Sequence, residues 1–512
     1  MPIIFITFIV KLLYTKTETE NKVLNGGYSV KITFIGAGSI GFTRKLLKDI
    51  LSVEELQDTQ IAFTDINAHN LEMVTQLCQR DIDANHLNIR IQSTIHRREA
   101  LEKADYVVNV VRIGGLEAFE KDVDIPLRYG VDQCVGDTLC AGGIMYGQRG
   151  IAAILEFCKD IREVSNPDCI MLNYANPNAM VTWACNKYGK VKTIGLCHGV
   201  QHGHQQIANV LGVKKSELDI ICAGINHQTW YIQVRYKGQD MTGKLLEAFE
   251  THEEYSKTEK VRIDMLRRFG YYSTESNGHL SEYVPWYRKR DDEIMDWIDL
   301  SDWINGETGG YLRVCTEGRN WFETDFPNWM TGEPEVYDYS TRSEEHGSYI
   351  IEGLETGRVY RGHFNVVNHG TITNLPTDAI VEVPGYVDAN GINIPIVGDL
   401  PLGCAAVCNA SISVQRLAVE AAVHGDEQLL RQAMMMDPLV GTVCNPPEIW
   451  QMTDEMLIEE EQWLPQYDKA IDEAKKRMKN KALIPTRKDY KGVARLKIKS
   501  VEEIAEEKKT AD

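Results

Sequence analysis

The sequence predicts an α/β protein, with an N-terminal doubly wound parallel sheet followed by an α+β catalytic domain. Three observations predict it. A β-branched run from Val30 to Ile35 leads at once into Gly36-Ala-Gly38-Ser39-Ile40-Gly41. Further strand-like runs recur at Ile61–Ile66, Ala104–Val111, Cys169–Asn173 and Lys192–Cys197, with helical segments between them. Such alternation builds a parallel sheet with helices on both faces. An acid, Asp65, stands at the end of the second run.

The first strand, the glycine turn and a helix from Phe42 to Val53 form a Rossmann-type opening. The first glycine permits a tight turn, the second lets a pyrophosphate approach the backbone, and the third lets helix pack on strand. Phosphates then rest on the unpaired N–H groups of the helix start. Asp65 is placed to accept both ribose hydroxyls, which favours NAD over NADP because a 2′-phosphate would be repelled. A lone glycine pattern is weak, but strand, helix, strand and terminal acid in order make it specific. Gly36, Gly38, Ser39, Ile40, Gly41 and Asp65 are therefore expected to bind the cofactor. Asn109 is expected beside the nicotinamide end.

Gly142-Gly143 opens an amphipathic helix to about Val164, with Ile151, Leu155, Ile161 and Val164 as its apolar positions. Ligands of doubly wound sheets gather beyond the carboxyl ends of the strands. Asp65, Asn109, Asn173 and Cys197 all lie near such ends, so one crevice is expected to hold them. Asn173 and Asn176 carry amides that need partners, which sugar hydroxyls or loop backbone could supply. Asp137 and Thr138 could cap the following helix or line the pocket, and the residues leave both open.

Gly195-Leu-Cys197-His198-Gly199-Val-Gln-His202-Gly-His204 gathers one Cys and three His. Thiolate and imidazole together suit a divalent metal. Further on, Ile220 to Ile225 ends in Asn226-His227, and Trp230 to Val234 continues as strand. Cys197 and His227, delivered from separate elements, would leave positions open for substrate. A His held by backbone at a strand end is the alternative. Residues 245–270 are expected to be helical with Gly270 as C-cap, before the polar-aromatic stretch Tyr271 to Trp286.

Residues 287–345 are charged and Trp-rich, suiting a lid or an oligomer contact. Strands around 372–391 are expected in a second sheet, followed by helices at Ala406–Val423 and Asp426–Met436. The Met434–Met436 run is assigned to core. Residues 468–512 are Lys- and Glu-rich and are assigned to a solvated helix or tail. The expected domains are 30–215 for the cofactor and 216–467 for substrate and oligomer contacts. Residues 1–29 are expected to be an extension outside the fold. Its apolar start, Met1 to Tyr14, contains Lys11, is too short for a membrane span and lacks a secretory cleavage pattern. A weak membrane anchor is the alternative there.

The chain has 512 residues, 43% hydrophobic and 25% charged, an ordinary globular balance. A net charge of -19 argues against nucleic acid or an anionic membrane as partner. Twelve unevenly spaced Cys suggest free thiols in a reducing cytoplasm.

Taken in order, the glycine turn, Asn173-Tyr-Ala-Asn176-Pro177, Gly195-Leu-Cys197-His198, Gly224-Ile-Asn226-His227 and His279-Leu-Ser-Glu-Tyr283 resemble the NAD- and manganese-dependent glycoside hydrolase family 4. The resemblance runs from about Lys31 to Tyr467. It implies oxidation of the sugar C3 hydroxyl by NAD⁺, removal of the C2 proton, elimination at C1, water addition and return of the hydride. A ketone acidifies the C2 proton, and a divalent metal, manganese by resemblance, stabilises the enediolate. The family is an exception to two-carboxylate hydrolysis.

By resemblance Cys197 and His227 are the metal ligands and Tyr283 the C2 base. Asn176 contacts the sugar, with Asp137, Asn173 and His198 nearby, and Asp264 or His198 is the acid at the leaving group. His198 replaces the Asp that follows the metal Cys in members acting on 6-phosphosugars, so an unphosphorylated α-hexoside is expected. Cys197-His-Gly-Val200 looks closer to the α-glucosidase type than to the Cys-His-Ser-Val of α-galactosidases. Asn277-Gly278 also departs from the Ser-Glu frequent in galactosidases. An α-glucosidase that also accepts α-galactosides is thus the first expectation, assembled as a homodimer or homotetramer. The alternatives are an α-glucuronidase or α-galacturonidase of the same family, or a 2-hydroxy acid dehydrogenase of the lactate or malate type with His227 as its proton carrier. A non-enzymatic NAD sensor is a further one, disfavoured by the Cys–His pair and Tyr283.

Overall fold

The computed structural model describes residues 30–318, 324–480, 482–487 and 491–511. The expected extension at 1–29 lies outside them. Six strands of the N-terminal half pair in parallel: β1 (Lys31–Ile35), β2 (Gln60–Thr64), β3 (Gln92–Ser93), β4 (Tyr106–Asn109), β5 (Ile170–Asn173) and β6 (Thr193–Gly195). Their spatial order, 3-2-1-4-5-6, is that of a Rossmann domain. β1, β4 and β5 are buried along their whole length, which explains why they read as continuous apolar runs. The expected strands are present, with ends that differ by up to two residues at each terminus.

The second half does not build a sheet of its own, contrary to expectation. β10 (Tyr360–Val367) pairs antiparallel with β11 (Ile380–Asp388) and meets β6 through one bridge, Asn365 with Gly195. β11 meets β7 (Leu218–Ile225) through Glu382 and Gly224, and β7 forms a hairpin with β8 (Gln228–Tyr236). Among the described residues the sheet therefore has twelve strands and crosses the expected boundary at 215. Two strands from the second half are wedged between β6 and β7, the strands that precede Cys197 and His227.

Helix 245–270 is broken into Leu245–Thr251, Tyr255–Thr258 and Lys260–Phe269, and Gly270 caps the last with φ +83°. The helix Leu402–His424 is long and apolar enough to cross a membrane, yet Cys408, Ile412, Val414, Ala418 and Val419 are buried in the main core. Of the methionine run only Met434 is core; Met435 and Met436 are exposed. The C-terminal segment is also less solvated than expected. Ile471, Ala474 and Ala494 are fully buried, and Arg477 pairs with Asp454 at 2.8 Å. The spread of Lys and Glu hid a narrow apolar stripe on Asp468–Asn480.

Candidate active site

The glycine turn takes its shape from Asp65. Gly36 has φ +86°, and its N–H donates to the Thr64 carbonyl at 3.0 Å. Asp65 Oδ2 accepts from Gly38 N at 2.9 Å and Oδ1 from Asn67 N at 2.8 Å. A Cβ on Gly38 would stand 2.9 Å from Asp65 Oδ2, so this glycine lets the acid close over the turn. Each carboxylate oxygen retains acceptor capacity toward solvent. Ser39 is the N-cap of Ile40–Leu51 without a side-chain cap bond, which leaves first-turn amides open to an anion. Gly41 departs from its expected packing role, because a Cβ there would meet nothing within 4 Å.

Cys197 follows β6 directly. Its Sγ donates to Glu275 Oε2 at 3.3 Å and accepts from Gly199 N at 3.4 Å. His227 sits in the two-residue turn between β7 and β8, since Ile225 pairs with Gln228. Its φ of +62° is left-handed, at a cost on the order of 1 kcal/mol for a residue with a Cβ. That conformation turns the ring so that Nε2 lies 3.4 Å from Glu275 Oε2. The donor atoms of Cys197, His227 and Glu275 all fall within 4.8 Å of one another. A soft sulfur, an imidazole and a carboxylate form a donor set fit for a borderline divalent cation with open positions.

Electrostatics agree with that reading. Burial pushes the Cys197 thiol well above its ordinary range, and Glu275 and Glu382 add to the push. A bound cation reverses this by favouring the thiolate, so binding would release a proton. Burial opposes ionisation of Glu275, but His227, His279 and His198 outweigh it and bring the carboxyl down to about 2.

His227 Nδ1 faces inward, 3.1 Å from Thr138 Oγ1 and 3.4 Å from the Tyr283 hydroxyl. Thr138 Oγ1 donates to Asp137 Oδ1 at 2.9 Å. Asn176 Nδ2 donates to both Asp137 oxygens at 3.2 and 3.3 Å, and Arg112 approaches Asp137 at 3.4 Å. A polar chain thus runs from Asn176 through Asp137 and Thr138 to the ring, an outer shell that orients an imidazole for a metal. Neither Asp137 nor Thr138 caps the helix Cys140–Val164, whose N-cap is Leu139. The loop before them is fixed by Glu282, whose carboxylate accepts from the backbone N–H groups of Cys134, Val135 and Gly136 at 2.6, 3.0 and 3.1 Å.

Tyr283 ends the buried helix Asn277–Tyr283, with Ser276 as N-cap. Burial holds its hydroxyl well above the ordinary tyrosine range, with Glu282 and Asp137 adding to the effect. His198 lies at the rim with a 40% exposed side chain, its Nδ1 3.8 Å from Glu345.

Three expected residues make bonds to neighbours in the chain. Asp264 is held by Arg268 at 2.7 Å, Arg267 at 2.9 Å and the Tyr287 hydroxyl at 3.0 Å. Burial resists its ionisation, but Arg268, Tyr287 and Arg267 outweigh it and keep the carboxyl below its ordinary range. A carboxylate so paired is held ionised by its neighbours. Asn173 is fully buried and is satisfied by loop backbone, donating to Ala175 O at 3.0 Å, and by Asn109 Nδ2 at 2.8 Å. Asn109 is likewise buried, and its Oδ1 has no hydrogen-bond partner among the described residues. Residues such as these read alike from sequence whether they face a ligand or a neighbour.

Glu275 was missed. It lies in the polar-aromatic stretch, but no spacing in the sequence links it to Cys197. The hint was Gly199: a Cβ there would stand 2.2 Å from Glu275 Oε2. The supposed sugar cue at 199 is therefore a steric requirement of the carboxylate. Asn277-Gly278 has a similar explanation. Asn277 bonds Val261 N, Trp297 O and Asn305 O, and a Cβ on Gly278 would strike Cys134 Sγ at 2.5 Å.

Fold and site together define a dinucleotide-type sheet with a Cys–His–carboxylate centre at its carboxyl edge. Comparison with known proteins gives the family. Residues 31–213 match the family 4 glycosyl hydrolase profile, and residues 222–440 match its C-terminal domain. The chain belongs to glycosyl hydrolase family 4. It is 59% identical over 484 residues to an α-galactosidase of Rhizobium meliloti (strain 1021), covering 94% of this chain and 98% of that protein. An α-galactosidase of Bacillus subtilis (strain 168) is 34% identical over 442 residues, 85% of this chain and 99% of the relative. Among solved structures, a 6-phospho-α-glucosidase from gut microorganisms, in complex with NAD and glucose-6-phosphate, aligns with TM-score 0.70 and 26% identity, over 85% of this chain and 99% of that one. The dehydrogenase and sensor alternatives give way to a glycoside hydrolase.

Proposed function

We propose that this enzyme hydrolyses unphosphorylated α-galactosides with NAD and a divalent cation, manganese by kinship, as cofactors. The observation that carries the reading is the convergence of Cys197, His227 and Glu275 beside Tyr283 and the Asn176–Asp137 pair, in a chain so similar to a named α-galactosidase. Galactose replaces glucose as first choice because both glucose-leaning cues, Gly199 and Asn277-Gly278, are accounted for by packing.

NAD would be held by the turn Gly36–Gly41 and by Asp65, and supplies a hydride acceptor for the sugar C3 position. The metal would be held by Cys197, His227 and Glu275, and supplies Lewis-acid polarisation of sugar oxygens. Asn176 and Asp137 present a donor and an acceptor that exchange their mutual bond for bonds to sugar hydroxyls. Tyr283 receives the C2 proton on its phenolate oxygen. Burial alone disfavours that anion, and the positive charge of the centre beside His227 offsets the penalty. His198, half exposed at the rim, hands a proton to the departing glycosidic oxygen and exchanges it with solvent.

The test is a panel of chromogenic α-galactoside, α-glucoside, α-galacturonide and 6-phospho-α-glucoside, with NAD⁺, Mn²⁺ and a thiol reductant. The galactoside should have at least tenfold the kcat/KM of the others, with no net NADH. NADH formed in proportion to product, or preference for any other glycoside, would overturn the assignment.

A further inference from the structure

The first turn of the helix Gly199–Leu211 brings together two imidazoles that the site above does not use as a pair. His198 is its N-cap and His202 lies four residues on, so both fall on one face. Their ring centroids are 4.6 Å apart. Glu275 rises against the same turn, made possible by the missing side chain at Gly199. One donor atom from each of His198, His202 and Glu275 lies within 4.8 Å of the other two. This set shares only its carboxylate with the Cys197–His227 centre.

We propose that the protein carries a second divalent-cation site, formed by His198, His202 and Glu275, with the Glu275 carboxylate bridging it to the Cys197–His227 centre. A carboxylate has two oxygens and can serve one cation with each. The second donor set has two imidazoles and one oxygen but no thiolate, and His202 is exposed, so open positions remain for water. Nitrogen-rich sites of this kind take zinc in preference to manganese along the divalent series. The neighbouring charges cancel in pairs and leave Glu275 as the local negative charge. Glu345 stands 3.8 Å from His198, although Lys45 pairs with it at 3.1 Å, and Lys215 is neutralised by Glu344 at 2.6 Å.

Occupancy has a consequence for catalysis. A cation on the second site fixes His198 as a ligand and removes its lone pair from proton traffic. It also draws on the carboxylate that the first site needs. When a cation fills it, the site is thus an inhibitory one.

The experiment is dialysis of the full-length, NAD-loaded protein against Co²⁺, with bound metal counted by elemental analysis and followed by absorption. Cobalt on Cys197 gives a thiolate charge-transfer band, whereas the second equivalent adds ligand-field absorption without it. Two equivalents are expected in the wild type. His202→Gln should bind one, keep the thiolate band and keep Mn²⁺-supported hydrolysis. Cys197→Ser should bind one and lose the band. Zinc added to the Mn²⁺-loaded wild type should inhibit at a concentration at least tenfold lower than in His202→Gln. A single equivalent in the wild type, two in His202→Gln, or equal zinc sensitivity would overturn the proposal. The metal count needs no turnover, so its failure and that of the α-galactoside reading are separable.

Discussion

Tyr283→Phe isolates the base without disturbing its surroundings. The side chain is 1% exposed and the ring is retained, so no cavity forms. Its hydroxyl lies 3.4 Å from His227 Nδ1, at the long end for a hydrogen bond, and also meets the Thr138 hydroxyl. Losing it should cost about 1 kcal/mol of stability or less. For a chain this long, that moves Tm by only ~2 °C. Loss of a positioned general base costs about 10²–10⁴ in rate. At about 1.36 kcal/mol per decade, that is roughly 3–5 kcal/mol of transition-state stabilisation. The kinetic loss should therefore exceed the stability loss several-fold. The assay pairs kcat on a chromogenic α-galactoside with deuterium uptake at C2 from heavy water, and with metal and NAD affinities. The last two should be unchanged. If Tyr283→Phe keeps more than about a tenth of kcat, or exchanges the C2 proton at the wild-type rate, another group is the base.

Two further outcomes follow from the same geometry. Glu275→Gln should raise the Mn²⁺ concentration for half-maximal hydrolysis about 10- to 100-fold and leave NAD binding alone, because it weakens one ligand of three; an unchanged Mn²⁺ dependence would remove Glu275 from the centre. Glu382 is fully enclosed between β10 and β7, and burial, then Glu275, pushes its carboxyl up to about 8. The native state then holds a proton that the unfolded chain releases near its ordinary ~4.3, so stability is full below that value and is lost as pH rises toward about 8. In metal-free protein, Glu382→Gln should therefore raise Tm at about pH 9 and change it little at about pH 5. A Tm difference that stays constant with pH would refute the buried, protonated carboxyl.

What could be read from the chain was local. β1, the glycine turn and Asp65 lie within one stretch, and both the positive φ of Gly36 and the Asp65–Gly38 bond follow from neighbours in sequence. Cys197 and His227 were legible because each ends an apolar run; Cys197 follows a strand of the parallel sheet, whereas His227 sits at the turn of an antiparallel hairpin. Gly270 acts as the C-cap that cap chemistry puts there.

Tertiary structure decided the rest. Whether Asn173 faces a sugar or its neighbour Asn109, and whether Asp264 faces a leaving group or Arg268, depends on partners distant in the chain. The wedge of β10 and β11 between β6 and β7 could not be seen either, since its seams are single bridges at Asn365 and Glu382. The third donor, Glu275, reaches Cys197 across 78 positions, through space kept open by Gly199. Residue types and strand ends were thus determined by the sequence alone. Which carboxylate completes the centre was settled by packing, because donor convergence within a few ångströms is a property of the folded chain and leaves no periodicity behind.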